Sequence, residues 1–223
     1  MILPLPENQS YECPKKFKHV YQFKITLKHI RPPIWRRIQV PEIYSFWDLH
    51  IAIVDCMPWA DYHLHSFTIR HPTLMLTEEI GIPDDDFEDE FKIVPGWKLD
   101  IAPYFTFKNS TAKYLYDYGD SWEHTIKLEK IFPREKGVAY PRCIGGRRAC
   151  PPEDCGGTGG YGDLLETLSN PQSKQYKEML EWVGGSFDPE AFSPEQVRFD
   201  DPDRRWQYAF GAEPQVPDIR LLE

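Results

Sequence analysis

Residues 21–56, YQFKITLKHIRPPIWRRIQVPEIYSFWDLHIAIVDC, decide the fold class. Tyr21, Phe23, Ile25, Leu27 and His29 alternate with Gln22, Lys24, Thr26 and Lys28, the two-residue period of a strand with one buried face. Arg31-Pro32-Pro33 ends that run, since proline offers no ladder donor. Ile34, Arg36, Ile38 and Val40 then read as a second strand. Ser45, with Asp48 three residues on, resembles a capping box, and Phe46, Leu49, Ile53 and Cys56 follow at helical spacing. Past Pro58-Trp59, the run His63-Leu64-His65-Ser66-Phe67-Thr68-Ile69 is strand-like again. The order β-β-α-β is an α+β signature: a mixed, mainly antiparallel sheet with helices packed on it.

Working outward, Asp84, Asp85, Asp86, Glu88, Asp89 and Glu90 surround Phe87 in a composition suited to a solvated loop. Lys98 to Phe107 predicts a short helix. Tyr114 to Lys130 predicts a β-hairpin around Gly119-Asp120. A two-residue turn sets Asp117 opposite Trp122 and Leu115 opposite His124; a three-residue turn sets Tyr116 opposite His124 and Asp117 opposite Glu123. Trp122, His124, Ile126 and Leu128 share a face in either case, so His124 points toward apolar surroundings. Tyr176, Met179, Leu180 and Val183 form a helical stripe stopped by Gly184-Gly185. Ser193-Pro194 predicts a further helix, interrupted at Asp201-Pro202, and Trp206, Tyr208 and Phe210 beyond it either dock on the domain, the default, or form a partner-binding surface. The chain thus reads as a single globular domain over 17–192 with a C-terminal helical extension and tail over 193–223.

A chain of 223 residues can bury a core without staples. Aromatic and charged fractions of 14% and 27% exclude disorder, and 21 prolines favour short elements joined by turns. The net charge of −9 argues against nonspecific coating of DNA but leaves room for a local basic patch. No apolar run approaches the length of a membrane span and no signal-peptide pattern opens the chain, so the expected location is the cytoplasm, with no membrane partner. Five cysteines at irregular spacing do not make a secreted disulfide framework.

Several groups have the chemistry of a site. His63 and His65, two apart on a strand, would share a face as an H-x-H ligand pair. Asp117, Asp120, Glu123 and His124 add oxygen and imidazole donors at the hairpin. A metal held by His63, His65, Asp120 and His124 would be zinc or another divalent ion able to activate water; separate structural hydrogen bonds are the plainer use. Cys143, Cys150 and Cys155 lack the C-x-x-C knuckle, leaving a Cys3His zinc site, a Cys150–Cys155 disulfide or buried thiols open. Glu153 and Asp154 oppose a nucleophilic role for Cys155. Arg142, Arg147 and Arg148 suit a salt-bridge network with Glu153 and Asp154, or an incoming phosphate. The glycines from Gly156 to Gly162 read as a turn, with Asp163 capping the helix that follows.

Pro33-Ile34-Trp35-Arg36-Arg37 with Val40-Pro41, Leu49-His50, Trp59, His63-Leu64-His65-Ser66-Phe67, the run from Tyr116 to His124, and Pro151-Pro152-Glu153-Asp154-Cys155-Gly156-Gly157 occur in one order. Together they resemble the plasmid pRiA4b ORF-3-like family, from about Tyr21 to Phe192. The resemblance implies an α+β domain and an association with plasmids and insertion elements, and no activity. Gly159 departs from the pattern, where a bulkier residue is expected, and the chain after about Pro194 lies outside it.

Two functional expectations follow. The first is a noncatalytic accessory or binding module engaging a protein or nucleic-acid partner. The second is a metal-dependent hydrolase acting on a phosphoester, with a cleft drawn from His63, His65, Asp117, Asp120, Glu123, His124, Arg147, Glu153 and Asp154. They differ in geometry: a hydrolase needs these groups to converge around an open coordination position.

Overall fold

The computed structural model describes residues 10–74, 76–83 and 93–211. The acidic run 84–90 lies outside them. The chain begins with strands β1 (His19–Leu27) and β2 (Trp35–Pro41), then helix α1 (Phe46–Cys56). Strands β3 (His65–Arg70), β4 (Thr77–Gly81) and β5 (Val94–Pro95) follow, then the single helical turn α2 (Ile101–Tyr104). β6 (Thr111–Tyr116), β7 (Trp122–Pro133) and β8 (Arg142–Arg147) complete the strands. Helices α3 (Gly157–Ser169), α4 (Tyr176–Trp182) and α5 (Pro202–Phe210) close the described chain.

All eight strands join one sheet in the order β5-β4-β3-β6-β7-β1-β2-β8. Every pairing is antiparallel except β4 with β5. The expected α+β class is therefore the observed one. The alternation in β1 holds for Phe23, Ile25 and Leu27, which are buried, against Lys24, Thr26 and Lys28, which are half-buried. Gln22, expected outward, is buried among Gln39 and Glu129, and His29, expected inward, is exposed beyond the end of the strand. Ile38, Phe67, Tyr114, Trp122 and Ile126 extend that inner face across the sheet, and α1 and α3 add Phe46, Leu49, Ile53, Tyr161 and Leu164 to the same core. The capping box forms, with the Ser45 hydroxyl accepting from the Asp48 N–H at 3.1 Å and the Asp48 carboxylate from the Ser45 N–H at 2.8 Å.

α1 is buried on nearly all sides because α5 covers what the sheet does not. The Trp206 ring sits 5.4 Å from that of Trp47, edge to face, and the Trp47 indole donates to the Pro202 carbonyl. Docking of the terminal aromatics is thus seen for Trp206, while Tyr208 and Phe210 stay partly exposed.

Four local expectations are corrected. Ser193-Pro194 opens only a 3-10 turn, Pro194–Gln196. Asp201-Pro202 does not interrupt a helix but starts α5, with the Asp201 side chain accepting from the Asp203 N–H and proline at a position that needs no donor. α3 begins at Gly157, not after an Asp163 cap, because glycines fit where side chains would collide. A Cβ on Gly157 would lie 2.5 Å from the Asp120 carbonyl oxygen, and one on Gly160 would overlap the Cys155 carbonyl. A Cβ on Gly159, by contrast, would meet nothing within 4 Å, so the departure from the family pattern there costs no contact.

The fourth correction is the hairpin register. Tyr116 pairs with Trp122, Leu115 with Glu123 and Tyr114 with His124, one residue away from the two-residue-turn register and two from the three-residue-turn register. The connection spans five residues because Asp117 (φ 59°) and Ser121 (φ 55°) both turn left-handed. The Asp117 side chain accepts from the Gly119 N–H at 2.8 Å and its carbonyl from the Ser121 N–H at 2.7 Å, closing the loop on itself. The expected inward face survives the slip: Trp122, His124, Ile126 and Leu128 are all buried.

Trp122 has no exposed surface and stacks on Trp59, with centroids 6.1 Å apart and planes inclined by 29°. Trp122→Ala should cost about 3–5 kcal/mol, the range for emptying a large buried aromatic site. A denaturant midpoint equal to that of the parent protein would contradict this placement.

Candidate functional site

The residues singled out from the sequence separate into two groups. Among the described residues, His63, Asp117 and Asp154 bring ligand atoms within 4.8 Å of one another. His63 precedes β3, in the turn leading to it, and stands between the hairpin and the Cys150–Cys155 loop. Its Nδ1 lies 3.7 Å from Asp117 Oδ1 and its Nε2 lies 3.2 Å from Asp154 Oδ1. Asp117 and Asp154 both have left-handed backbones, which aspartate tolerates better than most residues. The imidazole thus stands between two carboxylates. The same atoms also offer one nitrogen and two oxygens to a divalent ion such as zinc.

The other residues lie apart from that group. His65 is buried and stacks on His50, with ring centroids 3.4 Å apart and planes inclined by 9°. Burial, with His50 beside it, holds its imidazole well below the ordinary histidine value. The expected H-x-H pair therefore splits, because the strand begins only at His65. Asp120 accepts from the Gly156 N–H at 3.2 Å, tying the hairpin to the start of α3. Glu123 pairs on the surface with Lys28 at 3.2 Å and His29 at 3.7 Å. Glu153 is pinned: Tyr116 donates its hydroxyl to one oxygen at 2.5 Å and the Ala60 N–H donates to the other at 2.8 Å.

His124 is fully buried between the Trp59 edge and the Tyr114 ring, each centroid 5.4 Å away. In the observed register it sits opposite Tyr114, not opposite the Leu115 or Tyr116 of the two expected registers. Desolvation pushes its imidazole down to about 4, opposed in part by the backbone of Trp122 and Tyr114.

All five cysteines are free thiols, so no Cys150–Cys155 disulfide forms. Cys150 is buried with its sulfur 3.7 Å from that of Met57, while Cys143 and Cys155 are half-buried beside the Gly145 and Gly157 carbonyls. Burial raises all three thiols. That of Cys155 reaches about 12, with Asp120 and Asp154 adding to the effect. None is poised as a nucleophile at neutral pH.

The arginine cluster does not meet Glu153 or Asp154. Arg148 pairs with Glu190 at 2.6 Å, and Arg142 donates to Gln39 at 2.6 Å with Glu135 3.9 Å away. Arg147 is exposed and, among the described residues, in no ion pair.

The sheet's outer face gathers a set of cations that the sequence only hinted at. Strand pairing aligns Arg37 of β2, Lys24 of β1 and Lys127 of β7 in one row across adjacent strands. The next row carries Trp35, Thr26, Thr125 and Lys113, with Arg147 opposite Trp35 on β8. The Lys24 ammonium and the Arg37 guanidinium each lie 5.0 Å from the Trp35 ring centroid. Glu129 is the anion that Arg37 engages, at 2.6 and 2.9 Å, with Gln22 at 2.9 Å. Glu123 lies on the same face of β7, and Glu79 ends the row of Lys113 and Thr68. Lys24, Lys113, Lys127 and Arg147 form no ion pair among the described residues. Alternation of Lys24 with apolar neighbours gave its face; only the pairing reveals its cationic neighbours.

The fold and these blocks place the chain in a class of α+β domains built on one open, mostly antiparallel sheet. The family model described as plasmid pRiA4b ORF-3-like protein matches residues 19–196, and the chain belongs to that family. It is 36% identical over 190 residues to "Uncharacterized protein y4hQ" of Sinorhizobium fredii (strain NBRC 101917 / NGR234), covering 84% of this chain and 94% of that relative. It is also similar to the crystal structure of the protein of unknown function MM3350 from Methanosarcina mazei Go1. That likeness has a TM-score of 0.77 at 45% identity, over 82% of this chain and all of the other. Among the described residues, no helix is long and apolar enough to cross a membrane.

The burial of His124 has a pH signature. Its folded pKa lies below the unfolded value, so its stabilising contribution is present above about 6.5 and is lost as pH falls toward 4. Asp55, raised to about 7 by burial, acts in the opposite sense. Residue-resolved NMR titration should therefore find His124 changing charge near pH 4; a midpoint near 6.5 would place its ring in water.

Proposed function

We propose that the chain is a noncatalytic, cytoplasmic accessory module that binds single-stranded nucleic acid across the outer face of its sheet. The observation that supports this is the row Arg37–Lys24–Lys127, backed by Lys113, Arg147 and Trp35. The cores of protein–protein interfaces are depleted of charge and rich in apolar groups. This face is the reverse, with lysines, arginines and threonines prevailing. Neighbouring strands lie roughly 5 Å apart, so the row spans about 10 Å, within reach of two or three phosphates of one strand. A broad sheet face offers no protruding helix or ribbon for a duplex groove, whereas an unpaired strand can lie across it. The net charge of −9 opposes long-range attraction and makes such binding local and salt-sensitive. A role beside a plasmid or mobile element fits a module of this kind.

The metal-dependent hydrolase keeps one supporting observation, the His63–Asp117–Asp154 group. His65, Asp120 and His124, which that reading also enlisted, have structural partners or burial elsewhere.

The double charge reversal Lys24→Glu with Lys127→Glu separates these possibilities. Both residues lie on the solvent side of the sheet, so folding should be spared. Fluorescence anisotropy with a labelled single-stranded oligonucleotide should show affinity falling more than about tenfold and the salt slope flattening by about 1.4, two phosphate contacts at 0.7 each. The oligonucleotide should remain intact with added Mn²⁺ or Zn²⁺. Unchanged binding in the double variant would refute the sheet-face proposal, and metal-dependent cleavage lost in His63→Ala would establish the hydrolase instead.

A further inference from the structure

We propose that a cavity on the inner side of the sheet binds a small monocarboxylate with an apolar body, and that Arg36 reads its charge. The cavity, about 520 Å³, lies between β2, the C-terminal end of α1 and the segment 187–198. That volume falls in the range of small-molecule sites. Phe187, Phe192, Val197 and Pro58 give it apolar walls.

Arg36 lines the cavity and is only 1% exposed. Its Nε donates to the Cys56 carbonyl at 2.8 Å, and its Nη1 to the carbonyls of Trp35 at 2.9 Å and Arg147 at 3.1 Å. Its guanidinium carbon stands 3.9 Å from the Phe192 ring centroid. These contacts fix the plane of the group and satisfy part of its donor set, but they do not neutralise it. Among the described residues Nη2 has no hydrogen-bond partner and no carboxylate pairs with Arg36. A buried charge is ordinarily paired, because desolvation is costly without a counter-ion. Here the position of the counter-ion is a space open to a ligand.

Three further features narrow the ligand. Arg198 adds a second guanidinium to the lining, with Nη1 donating to the Glu195 and Val197 carbonyls at 2.6 and 3.0 Å and no carboxylate partner among the described residues. Asp55 also lines the cavity, and its carboxylate is engaged by the Asp200 N–H at 2.8 Å with Arg205 4.0 Å away. In its charged form Asp55 disfavours a second negative charge on the ligand, so a monoanion suits the site better than a phosphate dianion. The apolar walls favour a hydrocarbon body over a bare anion. Glycine at 146 permits the arrangement: a Cβ there would collide with the Phe192 ring, which could not then lie against Arg36.

This proposal is independent of the nucleic-acid reading, since Arg36 and Arg37 point to opposite faces of β2. Isothermal titration of the full chain with phenylacetate, benzoate and isovalerate tests it, with phenylacetamide and inorganic phosphate as comparisons. At least one acid should saturate a single site per chain. Phenylacetamide should bind about tenfold or more weakly than phenylacetate, the loss expected when a charge-assisted hydrogen bond becomes a neutral one. Ala191→Phe, which fills the cavity without touching the carbonyl contacts of Arg36, should abolish binding. Arg198→Gln should weaken it several-fold; as a change at an exposed residue it carries the test if Ala191→Phe does not fold. The proposal is overturned if no acid binds, if the amide or phosphate binds as well as the acids, or if folded Ala191→Phe and Arg198→Gln bind like the parent.

Discussion

The stack of His50 on His65 is the contact on which the inner half of the structure depends. His50 Nδ1 lies 2.8 Å from the Tyr114 hydroxyl, and its Nε2 lies 2.9 Å from Asp61 Oδ1. Asp61 in turn lies 3.6 Å from Arg205 of α5, which also faces Asp200 and Asp55 at 3.9 and 4.0 Å. Helix α1, strands β3 and β6, the turn before β3 and the C-terminal helix are thereby joined through one imidazole. Buried polar groups of this kind contribute little when complete and cost about 1–3 kcal/mol each when a partner is lost. The network closes the inner face of the sheet to solvent over its middle. It also takes up His65, one of the histidines that the hydrolase reading enlisted.

The outer face and the cavity beside β2 both remain accessible. Two consecutive arginines serve them. Arg37 points outward, into the row with Lys24 and Lys127, and spends part of its charge on Glu129. Arg36 points inward against carbonyls and a phenyl ring and, among the described residues, is in no ion pair. The strand's period of two is thus enough to give adjacent residues of identical chemistry two different tasks.

Much of this was legible in the sequence because it is local. The alternation of residues 21–29, the capping box at Ser45 and the inward set Trp122, His124, Ile126 and Leu128 each depend on a few neighbouring residues. The hairpin register was not, because the left-handed backbones of Asp117 and Ser121 lengthen the loop, and one residue of slip repartners every pair. Nor was the start of α3, where Gly157 and Gly160 are required by close approach to the Asp120 and Cys155 carbonyls. The candidate cleft was only partly readable for the same reason. His63, Asp117 and Asp154 meet through three separate turns, while His65 is drawn away by His50, a residue of another element. The cationic row shows in no single segment; it joins the consecutive strands β1 and β2 to β7, far along the chain.

The central functional claim is that the outer sheet face is the binding surface. Amide chemical-shift mapping on the labelled full chain, titrated at low salt with a short single-stranded oligonucleotide, tests it most directly. The largest perturbations are expected in residues 22–26, 35–37 and 125–129, which carry the row and its flanks. Perturbations confined to α5 and the cavity-lining segment 187–198, or none at saturating oligonucleotide, would contradict it.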